Sequence, residues 1–590
     1  MKKCLVKYWK ILLSVAVGAV IGGGVYKIYP AHIIYQEMFQ MFLYDGDYAW
    51  ERIMVPGGMA CYLSDFLSQF CYNPKWGALF VAVLCVGIQR LLWRCMKQQG
   101  VSSFYYPLSF LPLLPVLHFM GDENALFSFP ISLVMTLGVM WGYGLTYSLR
   151  FRWIYVCMML PLLYGMAGAV HFIFVVWLVT NELHRAAAER KYAPVGLALV
   201  ALTLSVLCPF LCSLTLQYSF TRLMTGVEYY RYSDVLLPSE IWAAVLLAFL
   251  PWAVPHFPVI HKRAWIGVAI QMGVVTVGGW HYIKDGLNDE KEEALQYYCL
   301  VTQQQWQKII QKAEKKHPES PFSMTCLNLA LAKQGDLGDR MFEFSQQGTG
   351  GLLPAFVRDF TSPLPTAEAY YHMGMVNTTQ RYYFEAMEAI PNYQKSARCI
   401  KRLAETNIVN GDYKVAEKYL LLLQKTHLYE EWAENAMTYL RNEEKINAHP
   451  EWGKLRRMRV EEDFFFNGKE HPEMLGKVFE HNRQNRMASD YRLAYLLLKQ
   501  DLDAFMTCYE TGEYAEAAYI PRSHQEALAY MWLQKHGDFK DIPWKISPSI
   551  TQGMMEFARV YMSKQKNANE LLRRKYRGTY WEYLLNVRKG

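Results

Sequence analysis

Between residues 11 and 283 the chain returns again and again to apolar runs about as long as a bilayer is thick. A helix that crosses about 30 Å of hydrocarbon needs roughly 20 apolar residues. Such runs stand at 11–28, 77–93, 103–119, 126–147, 194–215, 241–255 and 264–283, with a longer one at 153–180. Backbone polar groups inside a membrane must be satisfied within the segment itself, and helices achieve this. The pattern therefore predicts an all-α fold whose first part, residues 1–283, is a polytopic transmembrane helical domain.

Charge decides how the 153–180 run is counted. Lys2, Lys3, Lys7 and Lys10 place the N-terminus in the cytoplasm by the positive-inside rule. Further basic clusters follow at Arg94 and Lys97, at Arg150 and Arg152, at Arg185, Arg190 and Lys191, and at Lys262 and Arg263. All five clusters share the cytoplasmic face if 153–180 is a hairpin that turns near Gly165 and Gly168. That gives about nine spans and brings residue 284 out on the far side. The first span also has the basic start and apolar core of a signal peptide, but bulky residues from Tyr26 to Pro30 replace a small-residue cleavage site, so it is read as retained.

Composition changes at the end of the last run. Residues 1–283 carry 19 Lys+Arg and 12 Asp+Glu, against 42 and 41 in residues 284–590. Disorder is excluded by 52% hydrophobic and 15% aromatic content. A nucleic-acid partner is excluded because nearly all of the +8 net charge sits in the membrane part. From 287 onward the apolar pattern has a period near 3.6. Leu403-Ala404, the turn Asn410-Gly411-Asp412-Tyr413, Ala416 and Tyr419-Leu420 are similar to a tetratricopeptide repeat, with echoes at Gly335-Asp336, at Lys499-Gln500-Asp501 and at Gly537-Asp538. Residues 284–590 are thus expected to form an extracytoplasmic, tetratricopeptide-like α-solenoid, interrupted by the Gly- and Pro-rich stretch 345–366. The run Arg456, Arg457, Arg459, Glu461, Glu462, Asp463 reads as a solvated face, and Arg573, Arg574, Lys575 and Arg577 as an exposed helix end.

The chain has no Walker loop, no GxGxxG after a strand, no HExxH and no GxSxG. Its cysteines form neither a CxxC pair nor an evident disulfide framework. The chemistry-bearing region is the long first external loop, 30–76. Clustered carboxylates at a membrane face can bind a divalent cation or take a proton from an acceptor hydroxyl. Asp45, Asp47 and Asp65 are the candidate catalytic residues on this ground. Glu51 and Arg52 in the same loop, and His118, Asp122 and Glu123 at the end of the third span, are candidate substrate contacts. Arg222 and Arg231, set among Tyr218, Tyr229, Tyr230 and Tyr232, can hold a lipid phosphate and stack on a sugar.

The run Pro56-Gly57-Gly58-Met59-Ala60-Cys61-Tyr62-Leu63-Ser64-Asp65-Phe66-Leu67-Ser68-Gln69-Phe70, followed by Pro74 and Gly77, resembles an uncharacterised family of bacterial multi-pass membrane proteins. The resemblance covers nearly the whole chain and implies a polytopic first half joined to a helical second half in the inner membrane. It carries no activity. Pro-Gly-Gly itself reads as a turn into a helix on the membrane surface. A weaker similarity is to the GT-C class of integral-membrane glycosyltransferases, which have an acidic first external loop and use lipid-linked sugars. This implies a transferase with Asp45 or Asp47 at the acidic position, although no tight Asp-Asp or Glu-Asp pair stands there. The competing expectation is a non-enzymatic scaffold whose solenoid binds envelope proteins.

Overall fold

The computed structural model describes residues 2–232, 235–258, 264–391, 394–460, 470–511, 519–563 and 568–586, with backbone only for 2–7 and Ala264. The side chains of Lys2, Lys3 and Lys7, and residues Asp234, Lys262, Arg263, Glu461, Glu462 and Asp463, lie outside the described residues. Secondary structure among the described residues is helical, apart from one isolated bridge between Ala125 and Arg231. The chain forms two compact units. One comprises residues 1–292 with 390–398 and 422–433; the other comprises 293–389, 399–421 and 434–590.

The first unit is a bundle of α1 (Lys2–Ile28), α2 (Pro30–Met38), α3 (Gly46–Ile53), α4 (Gly58–Ser68), α5 (Pro74–Gln98), α6 (Leu113–Phe119), α7 (Ser128–Tyr143), α8 (Leu149–Ala167), α9 (His171–Glu189), α10 (Ala193–Thr215), α11 (Phe220–Thr225), α12 (Pro238–Ala253) and α13 (Ala264–Asp285). Among the described residues, six helical stretches are long and apolar enough to cross a membrane: 8–28, 74–98, 149–189, 193–215, 238–256 and 265–285.

Helix α1 runs antiparallel to α5. Gly22 sits against Ala78, Gly18 against Val86, and Ser14 hydroxyl donates to Gln89 Oε1 at 2.8 Å. Small residues let the two backbones approach, and the buried hydrogen bond ties them where no water competes. The stretch 149–189 is not one rod. Gly168 adopts φ +69°, ψ −145°, ends α8 and starts a single 3-10 turn. The chain then doubles back, so that Arg152 near the start of α8 faces Glu182 near the end of α9 at 3.9 Å.

The 103–119 run departs from a regular span. Ser103–Phe110 is a 3-10 helix containing Pro107, and only Leu113–Phe119 is α-helical. Pro107, Pro112 and Pro115 lack the N–H groups an α-helix needs. The 3-10 helix rises about 2.0 Å per residue against about 1.5 Å in an α-helix. The stretched chain from Phe104 to His118 therefore keeps pace with α13 and the residue after it, touching Gly267, Gly279 beside Leu114, and Gly286 just past the helix beside His118. The 126–147 run yields α7, which is 16 residues long and buries Ser128, Ser132 and Thr136.

These contacts sort the unit's loops into two ends. Lys10 lies over Trp93, Gln98 amide donates to the Trp141 carbonyl, Tyr143 hydroxyl donates to Glu182, and Tyr105 hydroxyl donates to the Pro258 carbonyl. Lys10, Arg94, Arg152 and Arg185 thus gather at one end. At the other end, Gly57 N–H donates to the Gly165 carbonyl, Leu126 N–H to the Tyr230 carbonyl, and His118 Nδ1 lies 2.8 Å from the Tyr282 carbonyl.

The second unit is built from short helices joined by tight turns. Pro321–Gln334 meets Leu337–Arg340 through Gly335 (φ +81°), Pro363–His372 meets Val376–Glu388 through Gly374 (φ +81°), and Tyr413 opens a helix after Gly411 (φ +87°). Arg486–Lys499 meets Leu502–Glu510 through Gln500 (φ +58°). A left-handed residue ends one helix and the next begins two residues on. Gly537 also ends a helix, but the next starts only at Pro548, so the fourth expected turn is not a hairpin joint. The stretch 345–366 carries only a short 3-10 turn before Pro363, as its Gly and Pro content predicts. Arg456 and Arg459 are not merely solvated: both donate to the Val409 carbonyl, and Arg456 also donates to that of Ile408, satisfying the open end of Ala397–Asn410.

At the centre of this unit Arg402 grips Glu368 with two hydrogen bonds (3.0 and 2.8 Å) and donates to Glu405 at 2.6 Å. Its guanidinium lies 3.7 Å from the centre of the Tyr371 ring, and Tyr383 hydroxyl donates to Glu368. Burial among these acids raises the Glu451 carboxyl above the usual range, 3.9 Å from Arg402.

Candidate functional site

Pro56-Gly57-Gly58 closes the elbow between α3 and α4. Gly57 has φ +77° and packs against Gly168. A Cβ on Gly58 would overlap the Arg52 carbonyl oxygen, so only glycine lets α4 start this close to the end of α3. The elbow brings Arg52, on the last turn of α3, to 2.9 Å from Asp65, two turns into α4. Tyr48, one turn before Arg52, places its hydroxyl 2.8 Å from Asp65 Oδ2, and the Gln394 amide donates to the same oxygen at 3.4 Å. Asp65 is 2% exposed. Burial pushes its carboxyl above the usual range while Arg52 pulls it back, and Asp65 in turn raises the Arg52 guanidinium.

Asp65 and Arg52 form one wall of a cavity of about 390 Å³ at the end of the bundle away from Lys10. The facing wall carries Tyr218, Glu228, Tyr229 and Tyr232. Behind it Arg222 pairs with Glu228 at 2.7 Å and lies over the rings of Tyr218 (4.4 Å) and Tyr229 (5.5 Å). Its Nε and Nη2 are buried without a hydrogen-bond partner among the described residues. Glu51 stands exposed at the rim with no ion-pair partner among the described residues, and Lys395 and Leu422 close the cavity from the returning segments.

Of the residues singled out from the sequence, the cavity unites Asp65, Glu51 and Arg52, with Arg222 beneath its wall. Tyr218, Tyr229 and Tyr232 line it too, whereas the remaining charged candidates lie elsewhere. Asp45 caps α3, accepting from Asp47 N–H at 3.0 Å, and pairs with Lys425. That hydrogen bond and ion pair hold its carboxyl below the usual range. Asp47 is exposed in the first turn of α3. His118 stacks on Tyr282 at 4.6 Å. Asp122 pairs with Arg231 at 2.8 Å, and Glu123 with Lys291. No group of three or more His, Cys, Asp or Glu among the described residues is arranged to hold a metal ion.

Tyr48, Glu228 and Gln394 line the cavity and were not singled out. Glu37, buried on α2, pairs with Arg398 at 2.7 Å and accepts from Tyr429 at 3.1 Å. Tyr44 N–H donates to the Lys425 carbonyl, and His427 packs on Phe70. Segments 390–398 and 422–433 therefore dock on the 30–73 loop. Tyr48 is within reach of sequence reasoning, one helical turn before Arg52; the partners from beyond residue 390 carry no local signal.

The Pro-Gly-Gly elbow and the sequence that continues through α4 extend into a match over residues 6–586 with a family of unknown function. The chain belongs to that family, DUF6057. Neither a curated protein nor a solved structure matches it. The family match spans residues of both units.

Proposed function

We propose that the protein is a transferase that takes a sugar from a membrane-lipid carrier at the cavity between Asp65 and Tyr229. The observation that carries this reading is the make-up of that cavity. Tyrosine rings suited to a sugar face stand beside the ion-paired Arg52, suited to a phosphate, at one end of the bundle. Arg222, beneath the tyrosine wall, supports it by holding Glu228. Two of the cavity's three carboxylates, Asp65 and Glu228, are held by arginines. Glu51, the third, is the base that takes the acceptor's proton.

The topology that goes with this reading has nine crossings, with α8 and α9, the 103–119 segment and α7 each counted as spans. The basic end is cytoplasmic and the cavity faces the periplasm or exterior of a bacterial inner membrane. An odd number of crossings puts residues 284–590 on that outer side as well.

The test is a Glu51→Gln variant, with Asp65→Asn alongside, in cells whose surface glycan depends on this protein. Glu51→Gln is expected to abolish transfer at normal protein abundance. Full glycan in the double variant overturns the reading. The hairpin joints at Gly335, Gly374 and Gln500 favour a second reading, a helical scaffold for envelope proteins. It predicts a stoichiometric partner on cross-linking of the full chain, retained in Glu51→Gln.

A further inference from the structure

Behind the tyrosine wall lies a second cavity of different chemistry. Ser128 and Tyr229 face the polar cavity, while their chain neighbours Phe129 and Tyr230 face a groove of about 230 Å³ between α9 and α12. Its floor is Val170, Ile173, Ala244 and Ala248. Polar groups on its wall are already engaged. Tyr230 hydroxyl accepts from Val170 N–H at 3.1 Å and donates to the Ala167 carbonyl, and the Glu240 carboxylate accepts from Leu237 N–H at 2.7 Å. No donor is left waiting for a polar ligand. An apolar void of this kind stays dry, and an unfilled one forfeits dispersion contacts along its whole lining.

The rim says what fills it. Ile241 is 54% exposed, Phe249 38% and Val245 37%, and Val176 faces them from α9. These side chains continue the exposed apolar surface of two stretches that are long and apolar enough to cross a membrane. The groove thus opens sideways into whatever surrounds those helices. A protein helix is about 10–12 Å across with its side chains, too wide for this volume. A single hydrocarbon chain is not. We propose that the groove between α9 and α12 holds one acyl chain of a bilayer phospholipid. This does not depend on the transferase reading.

The experiment uses the full chain in nanodiscs containing a phospholipid with a photoactivatable group midway along one acyl chain. After irradiation, label is expected on residues 169–176 and 241–249 at several times the level on the open face of α10 around Leu199. Ala244→Trp fills the groove and is expected to abolish that excess, whereas Leu199→Trp leaves it unchanged. Label spread evenly over α9, α10 and α12, or an excess indifferent to Ala244→Trp, overturns the proposal. So does an excess produced by an isoprenoid probe but not by the phospholipid. Should Ala244→Trp fail to fold, native mass spectrometry of the gently delipidated wild type decides: one retained phospholipid is expected, and a lipid-free protein overturns the assignment.

Discussion

Arg152 and Glu182 lie 3.9 Å apart, one near the start of α8 and the other near the end of α9. Arg185 and the Tyr143 hydroxyl each stand 2.9 Å from the same carboxylate oxygen. The contact exists because Gly168 takes a backbone conformation open to glycine and turns the chain back. It joins the ends of α7, α8 and α9 and collects basic residues at one end of the bundle.

That geometry fixes a labelling pattern. Tyr147, after α7, and Tyr192, after α9, are each at least 90% exposed, and Trp50 of the 30–73 loop is 66% exposed. Tyr147→Cys and Tyr192→Cys are expected to react with a membrane-impermeant maleimide from the same face, and Trp50→Cys only from the opposite face. Labelling of Tyr147→Cys and Tyr192→Cys from opposite faces would mean that 149–189 crosses once.

Arg52 and Asp65 are a buried pair, and removing one partner is costlier than removing both. Arg52→Met leaves the Asp65 carboxylate in a desolvated pocket and is expected to destabilise the protein by about 3–5 kcal/mol. Arg52→Met with Asp65→Leu is expected to recover most of that loss. Thermal unfolding in detergent reads both, and equal losses in the single and double variants would show that the pair is not coupled.

In the second unit, Arg402→Met strands Glu368 and Glu405 together with the already strained Glu451. The expected cost is again about 3–5 kcal/mol. Arg402→Lys is expected to fall well short of wild type, because an ammonium cannot reproduce the two-pronged grip on Glu368. Wild-type melting of Arg402→Lys would show that the geometry of the guanidinium is immaterial.

His524 is buried against Phe505 and Tyr509, and burial pushes its imidazole down to about 3. The unfolded chain takes up this proton near the ordinary histidine value of about 6.5, while the folded chain does not until about 3. Stability from this group is complete above about pH 6.5 and falls as the pH drops towards 3, by roughly 1 kcal/mol per pH unit. Denaturant unfolding between pH 7 and 5 is expected to show a shallower decline in His524→Asn than in wild type. Parallel slopes would show that His524 titrates alike in both states.

How far the chain can be read without its fold depends on the range of the forces at work. The runs 11–28, 77–93 and 194–215 declare themselves because hydrocarbon thickness acts on each segment alone. The turn at Gly168 is legible from charge on either side of it. The 103–119 run misleads as to its form: its composition is that of a span, and its prolines turn part of it into a 3-10 helix. Asp45 and Asp65 look alike in the sequence. One became a helix cap and the other part of the buried wall of a cavity, because Gly57 and Gly58 fold α4 back onto α3.

The sequence by itself determined that this is a helical protein whose first half carries helices long and apolar enough to cross a membrane and whose second half is charged, since apolar length and 3.6-residue periodicity are properties of each segment. Only the tertiary structure decided which acids are free. Glu37 is held by Arg398, Asp45 by Lys425 and Asp65 by Arg52, while Glu51 has no ion-pair partner among the described residues. Pairing of charges is settled by distance in space, and residues more than three hundred positions apart become neighbours only once the chain has packed.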